Sequence, residues 1–454
     1  MKHEKLVKSS SRKLGAFLTV SSLVMVNLLS PVAVLAQNTP QIQLEEGDVI
    51  HNPEDMELPE LLDIGEHIDL TMFEMEKGHF DLSYFEEPNP TNQMEVEVGT
   101  FEELQRVIDE AVPDTALIIT ITESFAFNDV IFIRGGLDIT LQSEGDYTLT
   151  QRNGRHFSVH SNSALTLRDG ITLDGASQAG GIEVFRSIFT MEGGHITNNK
   201  SLKHGGGIYS MSAIINITGG SIEGNSAQIG GGLCNVFGET NITGGFIAHN
   251  EADSLGGGIL INTGTLDITN ATIAYNQASY AGGGLMMIVG TADMNNVQFE
   301  YNEAENGGGV YLAGVTTNMS HTSIRYNSAR NGGGMYTYSC ITNVDHVMAH
   351  SNTADFGGGI FLNKGTANMT SLSTASNRAT TAGGGVYVNN GDAVMESGMI
   401  YENEALQGGG VVVGDFATFT MRSGHIFFNN AAIDRNVSVY PTGTFNHEGG
   451  VIGG

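Results

Sequence analysis

The chain has no tryptophan, eight prolines and only two cysteines among its 454 residues. Basic residues are scarce too, 20 Lys and Arg against 50 Asp and Glu, which leaves a formal net charge of −30. So large a negative surplus repels nucleic acid and anionic membrane surfaces, and neither is expected as a partner. Beyond residue 36 no apolar run is long enough to cross a bilayer, so no transmembrane segment is expected after signal cleavage. The excess is in glycine, 61 residues, well above an ordinary globular composition.

At the N-terminus, Lys2, Lys5, Lys8, Arg12 and Lys13 precede an apolar run from Leu14 to Leu29, and Val34-Leu35-Ala36 supplies small residues for cleavage. That order predicts a secretory signal peptide over 1–36, and with it a secreted or cell-surface protein. From 37 to 94 acidic residues face Lys77 alone, with prolines at 40, 53, 59, 88 and 90. This stretch reads as a solvated, disordered spacer. A cap and irregular first coils are expected over 95–180, and regular repeats over 181–454.

The glycines are periodic. Triplets begin at 205, 230, 256, 282, 307, 332, 357, 383 and 408, a spacing of 25 or 26 throughout. Upstream of each lies an asparagine: Asn199, Asn225, Asn250, Asn276, Asn302, Asn327, Asn352, Asn377 and Asn403, with Asn429 continuing the series. Eight residues before each asparagine stands an apolar side chain, among them Met191, Ile217, Met294 and Met421. All variation in period falls between the asparagine and the next triplet, so the extra residue is expected in a loop that faces water.

Short alternating runs such as GGGVYV and the absence of helical periodicity predict strands separated by turns. A 25-residue period of three strands per coil gives an all-β, right-handed parallel β-helix solenoid. Equivalent residues then stack about 4.8 Å apart along the axis. The apolar columns point inward, the asparagine amides bond to one another up the stack, and the glycines allow close approach of neighbouring backbones. Thr100-Phe101-Glu102-Glu103 is a capping box opening an amphipathic N-terminal capping helix, with Phe101, Leu104, Val107, Ile108 and Ala111 on one face and Pro113 after it. Cys234 and Cys340 fall about four coils apart, on the order of 19 Å, too far to bridge, and are expected as free thiols.

GGG[IVLM] paired with Ile222-Glu-Gly-Asn225, Ile273-Ala-Tyr-Asn276, Phe299-Glu-Tyr-Asn302 and Ile324-Arg-Tyr-Asn327 resembles the repeats of chlamydial polymorphic outer-membrane proteins. It also resembles pectate-lyase-like β-helix repeats of Gram-positive surface proteins. The resemblance runs from about Gly180 to Gly450 and implies a secreted or cell-surface, adhesin-like protein. The evenness of the repeat, which admits one extra residue per coil at most, favours a non-enzymatic binding or structural module with glycans or surface proteins as partners. The same fold also carries polysaccharide lyases and glycoside hydrolases, so an extracellular polysaccharide-active enzyme is the alternative.

Two sets of residues bear on that choice. Tyr209, Tyr311, Tyr336, Phe361 and Tyr387 follow the inward column directly and read as an outward aromatic strip, for a glycan or protein partner or for self-stacking. Asp267 and Asp293 lie one coil apart in a column otherwise holding Asn216, Asn241, Asn318, Asn343 and Asn368. They read as a polar outer ladder with two acid variants or, for an enzyme, as a catalytic carboxylate pair. From His204 to Ile324 there is no lysine or arginine to assist such a pair. The 14 histidines show no ligand spacing, and no cofactor or metal is expected.

Overall fold

The computed structural model describes residues 88–90 and 92–453; the expected signal peptide and nearly all of the expected spacer lie outside the described residues. From Asn92 onward the chain winds as a parallel β-solenoid in which strands pair with the coil before and the coil after. The first strand, Asn92–Val98, begins slightly inside the stretch read as spacer and pairs with Thr115–Ile121. Among the described residues the only helix is α1 (Phe101–Asp109). Thr100 caps it by accepting from the Glu103 N–H at 3.2 Å, and Glu103 accepts from Gly99 at 2.9 Å. Phe101, Leu104 and Ile108 of α1 enter the same apolar core as the coils.

Each regular coil has three faces. The first follows the glycine triplet and is a long strand, such as Ile259–Thr269, Leu285–Asn295 or Val310–Ser320. The second is short, Thr272–Ala274 or Gln298–Glu300, and its equivalents form one sheet of 14 strands. The third, such as Glu251–Leu255 or Thr353–Phe356, leads back to the next triplet. Chain direction changes at left-handed residues: Thr263 within the first face, Asn270 before the second, Tyr275 after it and Gly282 at the triplet, all with φ near +60°.

Alternation in the long strand sends Ile259, Ile261, Leu266 and Ile268 inward, and the methionine-rich column (Met191, Met294, Met319, Met369, Met395, Met421) is buried beside them. The glycines are required by the backbone of the next coil. A Cβ on Gly283 would lie 2.5 Å from the carbonyl oxygens of Glu303 and Gly308, closer than any side chain tolerates. Asn302 shows the buried amide ladder: its backbone N–H and Nδ2 donate to Asn327 Oδ1 at 2.9 and 3.1 Å, and Nδ2 also reaches the Ile273 carbonyl at 2.9 Å. Its own Oδ1 accepts the two equivalent bonds from Asn276. The ladder therefore has a direction. Asn199, the first rung, has an Oδ1 that is buried without a partner: Ala176 holds the equivalent place one coil earlier, and its N–H donates to Asp174 Oδ1 instead. The last rung, Asn429, donates to Asn436.

One expectation is corrected here. The extra residue of the longer coils sits in a β-bulge of the third face, where the pairing of Ser226–Ile229 with Glu251–Leu255 shifts register between Ala227 and Ile229. Ser254 and Leu255 there are buried. A bulge absorbs one residue without breaking the strand. Cys234 and Cys340 are free and buried, and burial raises both thiol pKa values.

Candidate functional site

The expected aromatic strip is stacked but covered. Ring centroids run 5.1 Å from Tyr311 to Tyr336, 5.1 Å to Phe361 and 4.7 Å to Tyr387, with planes within 18°. Exposure, however, is 1% for Tyr311, 5% for Tyr336, 0% for Phe361, 1% for Tyr387 and 8% for Tyr209. The strip is a second, outer core and presents no open ring face. The left-handed glycine at the head of each triplet brings the third face back over these rings, and Phe356 meets Tyr387 edge-on at 6.2 Å. Asn363 Nδ2 donates to the Tyr336 hydroxyl at 2.8 Å, and burial raises the Tyr387 hydroxyl pKa. Alternation places these side chains away from the main core as expected; a second layer lies over them.

The exposed aromatics stand elsewhere. His249, Tyr275, Tyr301 and Tyr326 occupy the left-handed corner before the asparagine ladder, with centroids 4.9 Å apart at each step and planes 7°, 1° and 11° from parallel. The three tyrosines are 47%, 44% and 47% exposed. A left-handed corner points its side chain away from both flanking strands, so one ring per coil projects into water. Inside the stack the ring faces cover one another, leaving edges and hydroxyls outward. Beside them Arg325 donates to Glu300 Oε1 at 2.9 and 2.6 Å. The sequence signal for this ladder is the Tyr-Asn pair repeated at 275, 301 and 326.

Asp267 and Asp293 are register partners on the exposed outer side of the long first-face strands. Asn318 Nδ2 donates to Asp293 Oδ1 at 2.7 Å, Asn343 Nδ2 to Asn318 Oδ1 at 3.0 Å, and Asn241 Nδ2 to Asn216 Oδ1 at 3.1 Å. The column thus carries side-chain hydrogen bonds, and Asp293 fits into it as an acceptor. Among the described residues no group of three or more His, Cys, Asp or Glu is placed to hold a metal ion.

A fourth arrangement, on the early coils, escaped the sequence reading. The third-face strands begin at Ser226, and the outer side of the first face is more open before that point. Phe132 is 50% exposed, and His160, Glu183 and Phe185 are half-buried. Buried Ser158 donates to Glu183 Oε2 at 3.1 Å and lies 2.6 Å from His160 Nε2. Arg155 reaches two coils forward, its guanidinium donating to the carbonyls of Gly205 at 2.6 Å and His204 at 2.7 Å. In later coils such a triplet carbonyl is met by a glycine N–H from the coil before; here Gly180 N–H turns to Gly154 instead, and Arg155 fills its place. Burial lowers the Arg155 pKa, while the charge of Glu183 opposes the shift. Burial also lowers the His160 pKa, and pushes that of His204 down to about 4.

Comparison with protein-family models, with curated proteins and with solved structures finds no match to this chain. Among the described residues no helix is long and apolar enough to cross a membrane.

Proposed function

We propose that this chain is a secreted or cell-surface, non-enzymatic β-helix protein acting as an adhesin-like binding or structural module, of the kind whose repeats it resembles. In this reading α1 closes the core beneath the first coil, and the stacked coils hold recognition groups in a rigid row. The observation that carries the reading is the solvent-facing ladder of His249, Tyr275, Tyr301 and Tyr326, one ring per coil at 4.9 Å. Exposed aromatic edges with hydroxyls suit a glycan or protein surface, where one end of the group is apolar and the other wet. The test is adhesion of the purified protein to host cells and to immobilised polysaccharides. Wild type should adhere, and a Tyr275→Ser, Tyr301→Ser, Tyr326→Ser triple variant should adhere at least tenfold less while unfolding as wild type does. Equal adhesion by the variant refutes the ladder as the binding element.

The register pairing of Asp267 with Asp293 supports the second reading, a polysaccharide-active enzyme. Two adjacent carboxylates can divide acid and base roles. That reading requires release of reducing or unsaturated sugar by wild type and its loss in Asp267→Asn and Asp293→Asn.

A further inference from the structure

We propose that the open outer side of the early coils binds an anionic glycan, with sugar rings against Phe132 and Phe185 and the anionic substituents held by Arg134 and Lys203. The proposal rests on the binding reading above and gives it a second, separate site.

Four observations converge. The rings form a continuous row across successive coils: Phe132 to His160 at 6.4 Å, His160 to Phe185 at 5.1 Å, Phe185 to Tyr209 at 5.7 Å, and Tyr209 to His204 at 5.3 Å. Unlike the tyrosine ladder, these rings are splayed by 31° to 86°; Tyr209 is buried, but Phe132 is 50% exposed and Phe185 is half-buried, so part of their faces meets water. Open faces are what the C–H side of a sugar ring packs against. Second, Arg134 and Lys203 mark the two ends of the row, Arg134 close enough to His160 and Lys203 to His204 to depress their protonation. Both are exposed and form no ion pair among the described residues. By contrast Arg168, Arg325, Arg330 and Arg422 each sit against a glutamate. Third, the one carboxylate in the row, Glu183, is held by Ser158 and lies within the field of Arg155, which offsets its charge. Fourth, the chain as a whole carries −30, and residues 204 to 324 hold no lysine or arginine. An anionic ligand is therefore repelled along most of the stack and attracted where unpaired cations stand beside open rings.

The row favours a glycan over an acidic peptide because its contacts recur once per coil, a step close to the length of one unit of an extended sugar chain. The test is calorimetric titration of the full chain with a heparin-derived hexasaccharide at low salt, beside maltohexaose as a neutral control and a hexaglutamate peptide. The expected result is binding of the heparin fragment alone, weakened as salt screens the charges. Arg134→Ala and Phe132→Ala should each weaken it at least tenfold, and the tyrosine-ladder triple variant should leave it unchanged; both substituted side chains are exposed, so folding is preserved. Equal binding of maltohexaose, equal binding of hexaglutamate, no binding of the heparin fragment, or no effect of Arg134→Ala overturns the proposal. If adhesion is then lost only in the tyrosine-ladder variant, this site fails and the adhesion reading stands. If wild type adheres to nothing, that reading fails as well.

Discussion

The coils before residue 205 and those after it use the same backbone course but spend their polar groups differently. In the later coils each glycine N–H, each ladder amide and each corner finds its equivalent one coil away, and even the outer rings stack in register. Repetition satisfies the triplet and ladder groups locally and leaves edges and hydroxyls for a partner. In the early coils the repeat lapses, and individual side chains close the gaps: Arg155 for an absent glycine N–H, Ser158 and Glu183 for each other. Irregularity leaves open ring faces, unpaired cations and an orphan acceptor on Asn199. Regular stacking secures the structure, and its failure is where distinct chemistry collects.

The largest expected effect sets an interior rung of the amide ladder against its first rung. Asn302→Ala deprives Asn276 of the acceptor for two donors and leaves the Ile273 carbonyl and Asn327 Oδ1 short of bonds. Buried groups left unpaired cost about 1 to 3 kcal/mol each, so the loss is about 4 kcal/mol after partial relaxation. Asn199→Ala removes only donors, since nothing bonds to its Oδ1, and should cost about half as much. Urea unfolding of the two variants measures the difference. Equal losses would mean that the rungs are not directional.

Acid should attack the early coils first. His156 is fully buried, its Nε2 donates to the Leu149 carbonyl at 2.9 Å, and its Nδ1 has no partner. Burial pushes its pKa from 6.5 down to about 4, so the imidazole stays neutral in the fold. The unfolded chain binds the proton more readily; the neutral histidine's contribution is therefore full above pH 6.5 and is lost as pH falls toward 4. The shift corresponds to about 3 kcal/mol. Thermal unfolding between about pH 7.5 and pH 4.5 should show a steep decline for wild type and a shallower one for His156→Gln. Identical slopes would dismiss His156 as the acid-sensitive group.

Arg155→Met tests the junction between the two regions. It leaves the Gly205 and His204 carbonyls without their charged donor and Glu183 without its counter-charge. Hydrogen bonds to charged groups contribute about 1.5 to 3 kcal/mol each, and with methionine filling the space the net loss is about 2 kcal/mol. Hydrogen exchange should rise around residues 204 to 206 and stay unchanged beyond the next two coils, because a solenoid transmits such damage mainly to its neighbours. Uniform acceleration along the whole stack would refute that local role.

The period, the inward columns and the asparagine ladder were legible because a strict interval admits only one kind of stacking, and every rung repeats the same demand. Burial of Tyr311, Tyr336 and Phe361 was not legible, because alternation distinguishes the two sides of a strand but does not reveal that a third face folds over one of them. The exposed ladder left a trace in the Tyr-Asn pairs at 275, 301 and 326; recognising those tyrosines as outward required knowing that the corner is left-handed. The early site left no trace. Ser158, His160 and Glu183 meet through stacking of coils whose sequences do not repeat one another.

The smallest effect concerns the corner inside the first face, where successive coils agree in backbone and differ in residue. Val289 holds φ +54° there, Asn390 holds +53°, and Gly314 holds +63°. Left-handed backbone is ordinary for glycine, tolerated by asparagine, and strained by about 1 to 2 kcal/mol for a β-branched side chain. Val289→Asn should therefore stabilise the protein by about 1 kcal/mol, the relief of strain exceeding the loss of valine packing over Gly314. Asn390→Val should destabilise it by a similar amount, about 1 kcal/mol. Opposite signs in urea unfolding would show that the corner is imposed by the ladders on either side and tolerated by whatever residue falls there. If Val289→Asn is neutral or harmful, packing rather than backbone geometry selects the residue at this corner, and the ladders impose less on the chain than their hydrogen bonds imply.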